Sequence, residues 1–407
     1  MFILRILYNL LIIIIIPFAV PLGFLFALKK KEDADYFQRF GFITFPEPPA
    51  KTVWFHCASV GEVRSLKQLI NAFRRRYPDA EFIISTTTAT GKAIAEKELK
   101  PYFAFLLPIE NPIAIPYILY CMNVRATVII DTELWPNFIT STSKHAPLFL
   151  VNARISDRSL GGYMRIRRII SPLLHKFEHI FTKSDEDTAR FAAIKGDSAN
   201  ISTLGNIKFS EFEGEPDLSV IKPITDKPFI VAASTHKGEE TAVINAFLAS
   251  GFDGRLVIAP RHLHRTEECL SLLKSAGLNP CALTGFDPCC SAVVADVFGQ
   301  LEALYRTADR IFIGGSITNI GGHNIFEALR FGRHVAVGPN MQNFREIYEL
   351  AAEYRLVTTA ANEHELAEFF SSPEPEGNFE GFRAEVQASA DERLGRFLEA
   401  MKVALID

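Results

Sequence analysis

Glu62, Glu133, Arg154, Lys208, Arg261, His262, His323, Asn324 and Glu327 are the side chains whose types and settings suit chemistry. Glu62 closes the run Val53-Trp54-Phe55-His56-Cys57-Ala58-Ser59-Val60-Gly61-Glu62, which passes from an apolar strand through small residues to an acid. Val63, Leu66, Leu69, Ile70 and Phe73 then recur at helical spacing, so a helix is expected to begin near Glu62. Ser59 and Gly61 let the chain turn sharply and let a ligand approach the backbone. That places Glu62 at the carboxyl end of a strand, where open α/β sheets bind their ligands, and suits it to act as a general base. The other reading is that Glu62 only complements the positive end of its helix. Glu133, in Asp131-Thr132-Glu133, follows another strand and carries the same two readings.

The second half carries four segments expected at strand ends: Ser234 to Glu239, Pro260-Arg261-His262, Gly314-Gly315-Ser316, and Gly321-Gly322-His323-Asn324 with Glu327 one turn on. Glycines there permit close approach to a phosphate, and helix amides favour its charge. Asn324 and Glu327 are spaced to hold ribose hydroxyls. Together the four point to a nucleotide. His56, His262, His264 and His323 share no metal-ligand spacing, and hydrogen bonding suits them better. Asp33-Ala34-Asp35 and Asp185-Glu186-Asp187 match a D-x-D pattern, but neither follows a convincing strand, and both are read as solvated faces.

The elements that must position these residues alternate. Strands are expected at Thr52–His56, Glu81–Ser85, Thr127–Asp131, Leu148–Val151 and His179–Thr182. A second series is expected at Phe229–Ala233, Arg255–Ala259, Ala292–Ala295, Arg310–Ile313 and His334–Val337. Helical patterns lie between them, which implies parallel sheets covered on both faces. Ser210 to Pro228 is polar and contains Pro216, Pro223 and Pro228, a linker between two α/β domains. A hydrophobic fraction of 48% supports two cores and argues against disorder. The six cysteines include no C-x-x-C pair, which excludes a zinc or redox signature of that kind and suits free thiols in a reducing compartment.

Residues 1–205 hold 25 Lys and Arg against 18 Asp and Glu, and the remainder holds 18 against 29. A basic first half within a net charge of -4 suggests an anionic partner for that half. Residues 6–28 form an apolar run broken by Asn9, Pro17, Pro21 and Gly23 and followed by Lys29-Lys30-Lys31. The run is long enough to span a bilayer, which takes about 20 residues, and the lysines place the following chain on the cytoplasmic side. The prolines leave an in-plane segment open. The partner of the basic half is then expected to be a membrane surface rather than nucleic acid. Arg165-Ile166-Arg167-Arg168, beside Tyr163 and Met164, suits contact with that surface or an ordinary exposed helix.

Taken in order, Ala58-Ser59-Val60-Gly61-Glu62, Thr132-Glu133-Leu134-Trp135-Pro136-Asn137, Asn152-Ala153-Arg154-Ile155-Ser156 and Gly205-Asn206-Ile207-Lys208-Phe209 resemble the 3-deoxy-D-manno-octulosonic acid (Kdo) transferases of lipopolysaccharide and lipid A biosynthesis. Ser234 to Glu240, Pro260-Arg261-His262, Gly314 to Asn324 and Gly338-Pro339-Asn340 continue the likeness. Asp131 departs from the family's usual Glu but keeps the charge. The resemblance implies a GT-B glycosyltransferase, with two Rossmann-like domains facing a cleft behind an N-terminal membrane-anchor helix in the bacterial inner membrane. It implies an anchor over 1–31, an acceptor domain over 32–209, a linker over 210–228, a donor domain over 229–380 and a last helix over 381–407 returning to the first domain.

The expected reaction is inverting transfer of Kdo from CMP-Kdo to a hydroxyl of the lipid A precursor, with no metal and no cofactor beyond the donor itself. Glu62 is the expected base and Glu133 a second carboxylate in the site. Ser59, Arg154 and Lys208 would bind the acceptor or the Kdo carboxylate. Arg261, His262, Gly314, Gly315, Ser316, Gly322, His323, Asn324 and Glu327 would bind the donor, with Arg261 and the amides near Gly315 and Ser316 meeting the leaving phosphate. A nucleotide-sugar epimerase or hydrolase on the same scaffold, and a non-catalytic sugar- or lipid-binding membrane protein, are the rival functions.

Overall fold

In the computed structural model the described residues are 8–12, 14–15, 35–108, 110–205 and 215–405. Most of the expected anchor, the Lys208 site and the Asp33 end of the first D-x-D pattern lie outside them. No helix among the described residues is long and apolar enough to cross a membrane. The chain divides into two compact units, one of residues 1–210 with 389–407 and one of residues 211–388.

The first unit is built on seven strands: β1 (Thr52–Cys57), β2 (Glu81–Thr86), β3 (Phe103–Leu106), β4 (Val124–Ile130), β5 (Leu148–Ala153), β6 (His179–Thr182) and β7 (Ile201–Thr203). Their order is β3-β2-β1-β4-β5-β6-β7, and every pairing is parallel. Such a sheet needs apolar side chains on both faces, which is why its strands read as nearly continuous hydrophobic runs. Alternation along β1 shows the division. Val53 and Phe55 pack with Leu69, Phe73, Phe397 and Met401 on one face. Trp54 packs with Ile115, Phe138 and Leu173 on the other. Phe397 and Met401 belong to the terminal helix Phe379–Leu405, whose last part is thus built into this unit's core.

The second unit repeats the plan with β8 (Phe229–Thr235), β9 (Arg255–Pro260), β10 (Pro280–Ala282), β11 (Ala292–Val294), β12 (Arg310–Ile313), β13 (Val335–Val337) and β14 (Val357–Thr359). Its order is β10-β11-β9-β8-β12-β13-β14, again parallel throughout. The polar stretch before β8 is partly built in. Ile221 and Ile224 are buried. The buried Arg255 donates to the Ile224 carbonyl at 3.3 Å and pairs with the Asp226 carboxylate. In both sheets the chain reverses its direction of travel beside the first strand, between β1 and β4 and between β8 and β12. Those switch points are where doubly wound folds open a crevice at the carboxyl ends.

Two local expectations change. The single helix expected to begin near Glu62 and run past Phe73 is two, Val60–Ser65 and Lys67–Arg76, meeting at Leu66. Ser65 donates its hydroxyl to the Glu62 carbonyl at 2.6 Å, a back-bond of the kind that bends helices. Asp187 is not on a solvated face. It is buried, accepts the Ile155 amide at 2.8 Å and the Ser184 hydroxyl at 2.9 Å, and gives its own amide to Ser184, the N-cap of the helix Asp185–Lys195. In the first D-x-D pattern, Asp35 pairs with Lys92 at 2.9 Å.

Candidate functional site

Glu62 stands in the first turn of the helix that follows β1. Ser59 is the N-cap: its Oγ accepts the Glu62 amide at 3.4 Å and donates to Glu62 Oε1 at 2.8 Å. The Ala58 amide donates to Glu62 Oε2 at 2.6 Å. This is close to a capping box, in which an N-cap serine and an acid three residues on satisfy each other and the open end of the helix. The residue as a whole is 9% exposed. Burial raises its pKa. The Ala58 amide and the Ser59 hydroxyl pull it back, and the charges of Asp131 and Glu133 push it up again. A carboxylate so held is a stronger base than a free one, with its direction fixed by two donors.

Asp131 and Glu133 follow β4, across the switch point from Glu62. Asp131 has φ +57° and Asn152 φ +60°, and the Asn152 side-chain amide donates to the Asp131 carboxylate. Asn and Asp tolerate the left-handed region better than most residues, and non-glycine residues there often mark functional turns. Glu133 accepts the Trp135 indole N–H at 2.6 Å, and its pKa is raised by burial and by Asp131. Arg154 is exposed in the turn after β5, where its amide donates to the Thr132 hydroxyl at 3.1 Å. The first half is basic overall, yet its switch point gathers three carboxylates. His56, on β1, is buried and bonds through Nδ1 to the Ser85 hydroxyl at 2.8 Å. Burial lowers its pKa to about 4.

In the second unit, Glu239 decides the geometry. It opens the helix after β8, is fully buried, and accepts amides from His236 (2.9 Å), Gly315 (2.7 Å), Ser316 (3.0 Å), Ile317 (2.9 Å) and Thr318 (3.3 Å). The amides of Gly315 and Ser316, expected to meet a phosphate, are thus committed to the protein's own carboxylate. The glycines make room for protein groups too. A Cβ on Gly314 would lie 2.8 Å from Glu239 Oε2, and one on Gly315 would lie 2.8 Å from His323 Cδ2. Ser316 is buried. Its hydroxyl donates to the Ile313 carbonyl at 2.5 Å and accepts the Gly338 amide at 2.8 Å, a structural role. The Gly322 amide donates to the Gly315 carbonyl at 2.7 Å.

What stays open around that frame is a group of basic side chains. His236 and His323 face each other Nε2 to Nε2 at 2.8 Å. The His262 ring is 5.9 Å from that of His236, with His264 stacked 5.5 Å from His262. Arg261, exposed in the same turn, is close enough for its charge to act on His236, His323 and Glu327. Asn324 donates its side-chain amide to Glu327 at 3.0 Å and accepts the Phe326 amide at 3.1 Å. Burial raises the Glu327 pKa. His236 and Glu239 lie in the Ser234 to Glu239 segment that the sequence marks for anion binding, but their individual roles, and the Asp131–Asn152 pairing, come only from the structure. The serine-to-acid spacing of Ser59 and Glu62 was an available sign of capping.

With this geometry in view, comparison with known proteins is informative. The family model described as "3-Deoxy-D-manno-octulosonic-acid transferase (kdotransferase)" matches residues 34–211. A 3-deoxy-D-manno-octulosonic acid transferase of Rickettsia felis is 32% identical over 307 residues, 72% of this chain and 65% of that protein. Residues 34–211 thus match the Kdo transferase family, and a Kdo transferase relative aligns with 72% of this chain. A bifunctional glycosyltransferase/methyltransferase of Fusobacterium nucleatum is 28% identical over 370 residues, 87% of this chain and 56% of that protein. The chain therefore spans between about half and two thirds of these two relatives. A solved glycosyltransferase from Rickettsia africae shares the fold, with TM-score 0.58 at 15% identity over 88% of this chain and 99% of that one. The two-sheet architecture is shared with that structure although the sequence identity is low.

Proposed function

We propose that this protein is a glycosyltransferase of the Kdo transferase family that moves Kdo from CMP-Kdo to a hydroxyl of the lipid A precursor, with inversion, Glu62 serving as general base. One observation carries the reading: a nearly buried carboxylate of raised pKa, held by the Ala58 amide and the Ser59 hydroxyl at a sheet's switch point. A sugar hydroxyl is a poor nucleophile until a base takes its proton in the transition state. The hydroxyl oxygen forms the new bond to the anomeric carbon, its proton passes to Glu62, and the carbon–oxygen bond to CMP breaks with its electron pair leaving on the phosphate. Glu133 and Asp131 keep the Glu62 charge costly in the ground state and so raise its basicity.

On this reading Arg261, His262, His323, Asn324 and Glu327 hold the donor, with Gly322 letting the turn close. Ser59 keeps Glu62 aimed, and Arg154 and Lys208 meet the acceptor's anionic groups. An anchor in residues 1–31 and an anionic inner-membrane surface would bring the enzyme to a lipid acceptor, with the catalytic units on the cytoplasmic side. No divalent ion is assigned a step, and activity is expected to survive chelation; loss in EDTA with rescue by Mg²⁺ would refute that. The test of the activity is incubation with CMP-Kdo and lipid A precursor, read by mass spectrometry. Addition of a Kdo mass is expected, and an unmodified acceptor beside intact, folded enzyme would refute the assignment.

A further inference from the structure

The pair His236 and His323 joins two turns that lie 87 residues apart in the chain, and the proposed chemistry does not use its most distinctive property. Two imidazole nitrogens 2.8 Å apart share one proton: one Nε2 donates and the other accepts. The ring planes are parallel within 4°, which suits an in-line bond. The arrangement is built for, since Gly315 leaves the space that the His323 ring fills. Both rings remain partly open to solvent, beside the exposed Arg261.

We infer that this pair is a proton-linked anion site: it gains one proton when the phosphodiester of the donor settles beside Arg261. The inference rests on the donor-binding reading of the second unit and adds to it how the leaving phosphate is met. The groups that act on the pair oppose one another. Burial, Arg261 and His262 disfavour a cation, whereas Glu239 favours one on both rings and Glu240 on His236. Burial is the largest cause for each ring, and the His323 pKa is lowered to about 4. Without ligand the pair is therefore neutral near neutral pH. An anion placed against it adds the missing negative charge and raises its proton affinity. The proton comes from solvent and settles on the Nδ1 of the donating ring, the nitrogen left unprotonated there, so the shared Nε2 proton stays in place. The resulting imidazolium stabilises the charge that develops on the phosphate as the carbon–oxygen bond breaks.

Titration calorimetry on the full chain tests this, with cytidine 5′-methyl phosphate as probe because its phosphodiester has no titrating oxygen near neutrality. Binding heats compared in two buffers of different ionisation enthalpy, between about pH 6 and 8, count the protons taken up. Uptake approaching one proton per probe is expected. It should vanish in His323→Gln and persist in His264→Gln. Imidazole ¹⁵N shifts of the unmutated protein should show one ring becoming cationic as probe is added, a readout that needs no variant. Normal binding with equal heats in both buffers and unchanged ¹⁵N shifts would overturn the inference and leave the donor reading standing. Failure of the probe to bind at all would overturn both.

Discussion

Glu62 and Glu239 occupy the same place in two similar sheets, yet they are used in opposite ways. Each opens the helix after the first strand of its unit, beside the switch point. Glu239 is fully buried and draws the whole Gly315–Thr318 turn onto itself through backbone amides. Glu62 holds one amide and one hydroxyl, keeps an edge in solvent, and sits among carboxylates rather than amides. The contrast teaches that position at a switch point does not make an acid a catalyst. A carboxylate saturated by donors organises a loop. One held by few donors and pressed by like charges is left with proton affinity to use.

The largest expected effect breaks the structural side of this contrast. Glu239→Ala strands the amides of His236, Gly315, Ser316, Ile317 and Thr318, at about 1–3 kcal/mol for each group left unsatisfied. That rivals the whole stability of an ordinary domain. Limited proteolysis and circular dichroism should find the second unit no longer native, and a melting point within a few degrees of wild type would show that Glu239 does not organise the turn.

Next in size is Asn324→Ala, which removes a donor to Glu327 and an acceptor for the Phe326 amide. CMP affinity should fall by about 1–3 kcal/mol if the nucleotide lies there. Unchanged affinity by calorimetry would move the donor site elsewhere. Gly315→Ala should cost roughly 1–2 kcal/mol for the left-handed backbone alone, since φ is +68°, and displace the His323 ring besides. Its melting point tests this, and a neutral substitution would mean that the turn relaxes freely.

Ser59→Ala has the smallest effect and sharpens the contrast. Loss of the N-cap should cost about 1 kcal/mol. The Ser59 hydroxyl also lowers the Glu62 pKa, so its removal should move the acid limb of the pH–rate profile to higher pH. An acid limb that stays in place would separate Glu62 from the group that titrates in catalysis. Stability follows a stated sign: with its folded pKa raised, Glu62 stabilises most below its unfolded pKa and loses that contribution as pH rises through the folded one.

Much of this was legible in the chain because buried parallel strands announce themselves. The ten expected strands all fall on observed ones, whereas β3, β7, β10 and β14 were not expected. All four are the edges of their sheets and are three or four residues long. β7, β10 and β14 hold few large apolar residues and so carry little of the pattern that marks a central strand, whereas β3, Phe103-Ala104-Phe105-Leu106, is wholly apolar but only four residues long. The site divides in the same way. Glu62 was visible because strand, turn, acid and helix lie within ten residues. The His236–His323 bond and the Glu239 clasp were not, because only the folded sheet brings β8 beside β12. The glycine pair at 314–315 was read as space for a ligand, and pattern alone could not tell ligand from protein side chain.

Turnover of Glu62→Gln, measured beside its melting point and CMP affinity, tests the central claim most directly. Gln keeps the size and one acceptor for the Ala58 amide but cannot take the hydroxyl's proton. The account predicts turnover lower by about 10²–10⁴, with melting point and CMP affinity near wild type. A folded Glu62→Gln enzyme within a few-fold of wild-type turnover would contradict it, leaving Glu62 as a helix cap and Glu133 as the next carboxylate to test.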